Sequence, residues 1–274
     1  MKENFLNQYF IGDCVAMLRE HVPDNSVDLV VTSPPYAQQR QDQYGGIPEK
    51  DYPYWTVDWM TEVHRVLKDS GSALINIRPH IKNGQISDYM LRTRIALRDA
   101  GWIEAEELIW IKPTAPALGS LNRPRRSWES IHWFSKTPTP FVNLTAKGRK
   151  SKRIGLNTNK GVGEYINSTS EGAEEGVSRV KDYVEFGTHL NDRDKDNTHP
   201  AQYPVELVEW LIDTFCPKDG VVLDPFLGSG TTAVAAQKLK RQWIGCELNP
   251  EYKDIISKRI KEKHQEIHEG WYSI

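Results

Sequence analysis

The sequence predicts an α/β fold built on a doubly wound, mostly parallel sheet, and three observations carry that expectation. Short runs of apolar and β-branched residues alternate with segments of helical periodicity. The runs break at glycine or proline, as strands do where a chain turns. A chain of 274 residues, 38% hydrophobic and 26% charged, is long enough for one substantial core plus an insertion.

Taken in order, Val27–Val31 is an apolar run that meets Thr32-Ser33-Pro34-Pro35-Tyr36, where two prolines forbid continuation of a central strand. A strand ending in a rigid turn is expected there. Tyr54–Lys68 spaces Trp55, Trp59, Val63, Val66 and Leu67 at helical intervals and should stop at Asp69-Ser70-Gly71. Ala73–Ile77 reads as a strand, Ile86–Ala100 as a helix closed by Gly101, and Ala105–Ile111 and Trp128–Phe134 as two more strands. From Ser135 to Asn197 the periodicity weakens, and Gly, Ser, Thr, Asn and charge dominate. Such a stretch suits a flexible insertion or a small domain of its own. Order returns at His199-Pro200. A helix over Pro204–Phe215 puts Leu207, Val208, Leu211, Ile212 and Phe215 on one face, and strand Val221–Leu223 follows. The loop Asp224–Gly230, a helix from Thr231 to about Leu239 and strand Trp243–Cys246 come next. Asn249-Pro250 opens a last helix, with Asn as N-cap and Pro as the first helical residue.

Composition removes several classes. No run of about 18 apolar residues is present to cross a bilayer, and Met1–Phe5 lacks the basic-then-apolar pattern of a secretion signal, so a cytoplasmic protein is expected. Cys14, Cys216 and Cys246 are far apart and odd in number, with no C-x-x-C spacing. Neither a disulfide framework nor a metal site is indicated. A net charge of -2 argues against a protein that coats nucleic acid by bulk charge. Local charge is another matter, because Lys147, Arg149, Lys150, Lys152, Arg153 and Lys160 cluster with no Asp or Glu among them, while Glu164–Asp196 is net acidic.

A glycine-rich turn between strand and helix lets the backbone approach a ligand closely. Gly228-Ser229-Gly230-Thr231-Thr232-Ala233 satisfies G-x-G-x-x-A, with Glu247 at the end of the next strand where a ribose-binding carboxylate belongs. A dinucleotide site, a nucleoside-sulfonium site and a structural turn are all open at this point. Asp224-Pro225-Phe226 ahead of the glycines favours the sulfonium, since an acidic residue accepts from the amino group of S-adenosylmethionine but repels a pyrophosphate.

The Ser33–Tyr36 turn has chemistry of its own. Exocyclic amino groups of cytosine and adenine are poor nucleophiles, because their lone pair is delocalised into the ring. Catalysis there needs acceptors for both N–H bonds and a base held outside the helix. The Ser33 hydroxyl and the Pro34 carbonyl, the latter followed by a proline with no N–H, supply two acceptors, and the Tyr36 ring supplies a stacking face. A proline-stiffened strand exit with a packed tyrosine is the bland alternative.

Together these residues resemble the β-group amino-methyltransferases of DNA, of the restriction-modification and orphan type. Asp28–Tyr36 is similar to that family's catalytic motif, Asp224–Thr232 to its cofactor loop, and Ile244–Tyr252 to the segment whose Glu holds the cofactor ribose. Gly12-Asp13-Cys14 and His199–Pro204 are further matches. The resemblance implies the Rossmann-like methyltransferase type of sheet, with S-adenosylmethionine as cofactor. It implies Ser33, Pro34, Pro35 and Tyr36 as catalytic residues. It implies Asp13 near the adenine, Glu247 at the ribose, and Ala201, Gln202 and Tyr203 near the methionine end, with Cys14 and Leu248 also among the cofactor-binding residues. Asp224, Pro225, Phe226, Gly228, Ser229, Gly230 and Thr231 complete the implied cofactor set.

The family order puts a catalytic half at 1–136 and a cofactor half at 199–274, so 137–198 falls in the slot of a target-recognition insertion. Lys147, Arg149, Lys150, Lys152 and Arg153 there, with Arg123, Arg125 and Arg126 in the preceding loop, are the residues expected to meet double-stranded DNA. Members with Ser before Pro-Pro usually methylate N4 of cytosine and those with Asp or Asn usually methylate N6 of adenine. Ser33 thus points to N4 of a flipped-out cytosine, with N6 of adenine as the alternative. Methylation at C5 is disfavoured, since it needs a thiolate nucleophile, typically in a Pro-Cys turn, and Cys216 instead precedes Pro217. An RNA amino-methyltransferase, an NAD-dependent oxidoreductase and a catalytically idle DNA-binding module are the remaining alternatives. A second copy of the chain and a cognate endonuclease acting on the same site are further partners that the resemblance allows.

Overall fold

The computed structural model describes residues 5–38, 46–114, 122–147, 178–187 and 203–269, with side chains to residue 261 in the last stretch. Its first half holds β1 (Gln8–Ile11), α1 (Cys14–His21), β2 (Val27–Thr32), α2 (Tyr52–Val66) and β3 (Leu67–Ile77). A small hairpin of β4 (Ile81–Lys82) and β5 (Gln85–Ile86) leads into α3 (Tyr89–Asp99), β6 (Ile103–Ile111) and β7 (Trp128–Ser135). After β8 (Tyr183–Glu185) come α4 (Val205–Phe215), β9 (Val221–Asp224), α5 (Thr231–Lys238), β10 (Gln242–Glu247), a helical turn at Pro250–Tyr252 and α6 (Lys253–Glu269).

Eight strands form one sheet in the order β1-β10-β9-β2-β3-β7-β6-β8. Only β7 runs against its neighbours β3 and β6; every other pairing in this sheet is parallel. Both faces are covered, which is why the central strands read as continuous apolar runs rather than as alternations. Val30, Ala73 and Ile75 pack under α1, α2 and α3 with Leu18, Trp59, Met60, Val63 and Tyr89. Leu29, Val31, Leu74 and Val222 pack on the other face against Leu207, Val208, Leu211, Phe215, Ala233 and Ile256.

The chain winds outward in both directions from the boundary between β2 and β9. From β2 it passes through α2 on one face to β3, and from β9 through α5 on the opposite face to β10. The carboxyl ends of β2 and β9 therefore open a crevice at a topological switch point, where open α/β sheets bind ligands.

Three elements depart from the sequence expectations. The helix expected to reach Lys68 ends at Val66, and Asp69-Ser70-Gly71 belongs to β3 instead of stopping a helix. Val27 pairs with Leu67 but Leu29 pairs with Ser72, so residues 68–71 bulge from the ladder. Lys68 reaches both oxygens of Asp28 at 2.8 Å, and Asp28 accepts from the Val221 N–H at 2.8 Å, which ties the bulge to β9. The second departure is the segment from Ile86, which completes a hairpin before the helix starts at Tyr89. The third is Tyr183–Glu185, which adds a parallel edge strand to β6 from within the weakly periodic stretch. Val142, Val180 and Phe186 pack on the same core face as α4.

Gly71 sits where the bulge crosses Asp28. A Cβ there would stand 2.7 Å from Leu67 Cδ1 and 2.9 Å from the Asp28 carbonyl oxygen. Gly71→Ala is expected to lower the unfolding free energy by about 1–3 kcal/mol in a urea titration, the range of core overpacking. An unchanged midpoint and slope would show that the bulge yields freely.

Candidate active site

Asp224, the last residue of β9, is 1% exposed and joins the two sides of the crevice. Its Oδ1 accepts from the Thr32 hydroxyl at 2.7 Å and from the Phe226 N–H at 3.0 Å. Its Oδ2 accepts from the Thr232 hydroxyl at 2.6 Å. The Tyr203 hydroxyl lies 3.1 Å from the same Oδ2 and 2.7 Å from Thr232 Oγ1, so its one proton serves either oxygen. Four protein groups thus surround the two oxygens of this carboxylate. Burial pushes this carboxyl above the usual range, and the Thr232 and Thr32 hydroxyls pull it back.

The glycine loop is fixed at both ends. Gly228 and Gly230 take φ of 55° and 88°, a left-handed backbone that glycine adopts without strain. Arg259 of α6 donates to the Ser229 carbonyl at 2.9 Å and to the Ser229 and Thr231 hydroxyls at 2.7 and 3.2 Å. At the end of β10, Glu247 is buried, and its carboxyl is raised chiefly by desolvation. It accepts from Gly228 N–H at 2.8 Å and Asn249 N–H at 2.9 Å, with acceptor capacity left for a ribose hydroxyl. Leu248 beside it is 55% exposed, and Phe226 packs on Trp55 and Trp59 at centroid distances of 5.5 and 5.1 Å. Gly12 N–H donates to the Glu247 carbonyl at 2.8 Å, bringing the Asp13 turn to this rim. Asp13 caps α1 by accepting from Ala16 N–H, and Cys14 is buried, its thiol pushed up to about 12 by desolvation.

Across the crevice, the Tyr52 hydroxyl donates to the Pro35 carbonyl at 2.9 Å and holds the turn. Among the described residues the Pro34 carbonyl receives no hydrogen bond. The half-buried Tyr36 directs its hydroxyl at Glu129 Oε2 over 3.4 Å. Glu129 is itself held by Asn76 Nδ2 at 2.9 Å and by the Lys112 ammonium. Burial and the Glu129 charge raise the Tyr36 phenol well above its ordinary range, so it stays neutral.

The remaining expected site residues scatter. Arg123 and Arg126 donate to the carbonyls of Gly84 and Pro79, Arg125 is exposed, and Lys147 pairs with Asp213 at 2.9 Å. Ala201, Gln202, Arg149, Lys150, Lys152 and Arg153 lie outside the described residues. Sequence reading passed over Thr32, Thr232, Arg259, Glu129, Asn76 and Lys112. Thr32 and Thr232 stood inside quoted motifs, whereas Glu129, Asn76 and Lys112 converge only through the pairing of β3, β7 and β6. No cluster of metal-ligating side chains occurs among the described residues.

A parallel sheet whose switch point joins a glycine loop and buried carboxylate to a proline-stiffened polar turn defines a nucleoside-cofactor enzyme of the α/β class. The chain belongs to the N6/N4 DNA methylase family, whose model matches residues 27–258. It is a DNA methyltransferase, and S-adenosylmethionine is its cofactor. That membership sets aside the oxidoreductase alternative. Type II methyltransferase M.BglII of Bacillus subtilis is 32% identical over 255 residues, spanning 91% of this chain and 68% of that one. The structure of the PvuII DNA methyltransferase, described as cytosine-N4-specific, superposes with a TM-score of 0.71 at 25% identity, covering 92% of this chain and 85% of that one. The M1.HpyAVI complex with SAM shares the fold, with a TM-score of 0.61 at 19% identity over 92% of this chain and 98% of that one.

Asp224→Ala strands the Thr32 and Thr232 hydroxyls and the Phe226 N–H in the interior. A stability loss of about 2–5 kcal/mol is expected by calorimetry or denaturant titration. A loss within about 0.5 kcal/mol would mean that these donors find other acceptors, as at an ordinary surface site.

Proposed function

We propose that the protein is a site-specific methyltransferase acting on N4 of a flipped-out cytosine in double-stranded DNA. The carrying observation is the hydrogen bond from Thr32 to Asp224, which sets the Ser33–Tyr36 turn against the cofactor loop. Ser33 at the head of that turn, and the likeness to a cytosine-N4-specific enzyme, favour cytosine over N6 of adenine.

The residues present fit the cofactor. Glu247 retains acceptor capacity for the ribose, and exposed Leu248 offers apolar surface to an adenine. Asp13 and Cys14 border that end, and Ala201, Gln202 and Tyr203 the methionine end. Pro225, Phe226, Gly228, Ser229, Gly230 and Thr231 form the loop between them. Asp224 is proposed to accept from the amino group of the methionine end and, through its hydrogen bonds, to shape that loop. When bound, S-adenosylmethionine supplies an electrophilic methyl.

The protein's own residues do the rest. The Ser33 hydroxyl and the Pro34 carbonyl accept the two amino hydrogens, so that the nitrogen lone pair leaves conjugation and faces the methyl. The Tyr36 ring stacks on the base, with its hydroxyl kept on Glu129. Transfer is direct and forms no bond to the enzyme: the nitrogen lone pair takes the methyl, the bonding pair of the broken carbon–sulfur bond stays on sulfur, and the nitrogen releases one of its two protons to water. The cysteines agree with this, since burial drives the Cys14 and Cys216 thiols to about 12 and raises that of Cys246 well above its ordinary value.

Residues 137–198 are proposed as the target-recognition insertion between a catalytic half at 1–136 and a cofactor half at 199–274. Lys147, Arg149, Lys150, Lys152, Arg153, Arg123, Arg125 and Arg126 are proposed to face phosphate. No helix among the described residues is long and apolar enough to cross a membrane, and the cytoplasm is the proposed compartment. A cognate endonuclease is the proposed partner and a homodimer the proposed assembly.

Expression in a host free of DNA methylation, followed by nucleoside mass spectrometry, should yield N4-methylcytosine. Ser33→Ala and Tyr36→Ala should each lose about ten- to a hundredfold in turnover while still binding S-adenosylmethionine. Serine at all three cysteines should leave turnover intact. N6-methyladenine would transfer the assignment to adenine, and 5-methylcytosine with an inactive cysteine variant would overturn the mechanism.

A further inference from the structure

Arg78 and Trp128 stand on the rim of the crevice beside Tyr36 and have no part in the machinery above. Arg78 follows Ile77, the last residue of β3, and Trp128 opens the antiparallel β7; Ile77 pairs with Ser130, which puts both at the carboxyl edge of the sheet. Trp128 precedes Glu129, the residue that holds the Tyr36 hydroxyl.

Trp128 is 45% exposed, while most of β7 beyond it is buried. The Arg78 guanidinium lies over its ring at 5.3 Å, as in a cation–π stack. A second guanidinium is fixed close by, because Arg126 donates to the carbonyl of Pro79, the residue after Arg78. The Glu129 charge acts on both guanidiniums, and Lys112 and Asn76 already engage that carboxylate. Burial, then repulsion from Arg126, pulls Arg78 down to about 10, against the opposing attraction of the Glu129 charge.

An exposed planar face capped by a guanidinium, with a second guanidinium alongside, is complementary to a base and its phosphate. We infer that Arg78, Arg126 and Trp128 form a contact for the DNA strand next to the flipped nucleotide. Trp128 stacks on a neighbouring base there, and the two guanidiniums hold the adjoining phosphate. The contact rests on the DNA-methylation reading above and extends the proposed interface from the Arg123–Arg126 loop to Arg78 and Trp128.

The test uses a duplex carrying a site that the wild-type enzyme methylates, with binding followed by fluorescence anisotropy across a salt series. Trp128→Ala should weaken binding roughly tenfold with the salt slope kept, and Trp128→Phe should retain most of the affinity. Arg78→Gln should lower the slope of log K against log salt by about one. Calorimetric affinity for S-adenosylmethionine should stay at the wild-type value in all three. Wild-type affinity and slope in every variant, on a duplex the parent still methylates, would overturn this contact alone. A parent that methylates no DNA would overturn the functional reading and the contact with it.

Discussion

A buried carboxylate at the switch point, Asp224, is the constraint from which the rest of the site follows. An uncompensated charge in the interior is too costly to keep, so the sequence must surround it with donors. Those donors come from Thr32 at the end of β2, Phe226 in the loop after β9, Thr232 in the first turn of α5 and Tyr203 ahead of α4. Three segments, around residues 32, 203 and 224–232, are thereby held at one point. The Ser33–Tyr36 turn inherits its position from the residue before it, and the glycine loop inherits its own from the residue that opens it. Methyl transfer depends on sub-ångström placement of acceptor against donor, and a short buried hydrogen bond fixes that spacing better than two facing loops would.

Each wall of the crevice has its own support. Arg259 pins the glycine loop from behind, and Glu247 pins it from the next strand. Tyr52, Glu129, Asn76 and Lys112 support the proline turn and its tyrosine. The electrostatics divide accordingly. Carboxylates line the cofactor wall, while guanidiniums gather on the outer rim of the catalytic wall. The net charge of -2 averages these away.

Much of this was legible in the sequence, for identifiable reasons. Strands buried on both faces announce themselves as apolar runs, and β2, β9 and β10 lie where those runs lie. The Ser33–Tyr36 and Asp224–Thr232 segments carry their chemistry within a few contiguous residues. What escaped was non-local. Gly71 looks like a helix stop, yet it serves a bulge at which Lys68 meets Asp28 across strands. Tyr183–Glu185 is too short to show a period and is strand only through its partner β6. Glu129, Asn76 and Lys112 are unremarkable polar residues until β7 aligns antiparallel between β3 and β6. Asp224 reads in sequence as an acceptor for the cofactor, and nothing local showed that Thr32, Phe226, Thr232 and Tyr203 would also meet it.

The most direct test is a double-mutant cycle between Thr32→Val and Asp224→Asn, reading single-turnover methyl transfer with saturating S-adenosylmethionine. Neither change removes a group proposed to touch the base. If the hydrogen bond between them aligns the two walls, each single variant slows transfer and the double variant is no slower than the worse single, a coupling of at least about 1 kcal/mol. Losses that simply add would contradict it, and would mean that the catalytic turn and the cofactor loop are positioned independently.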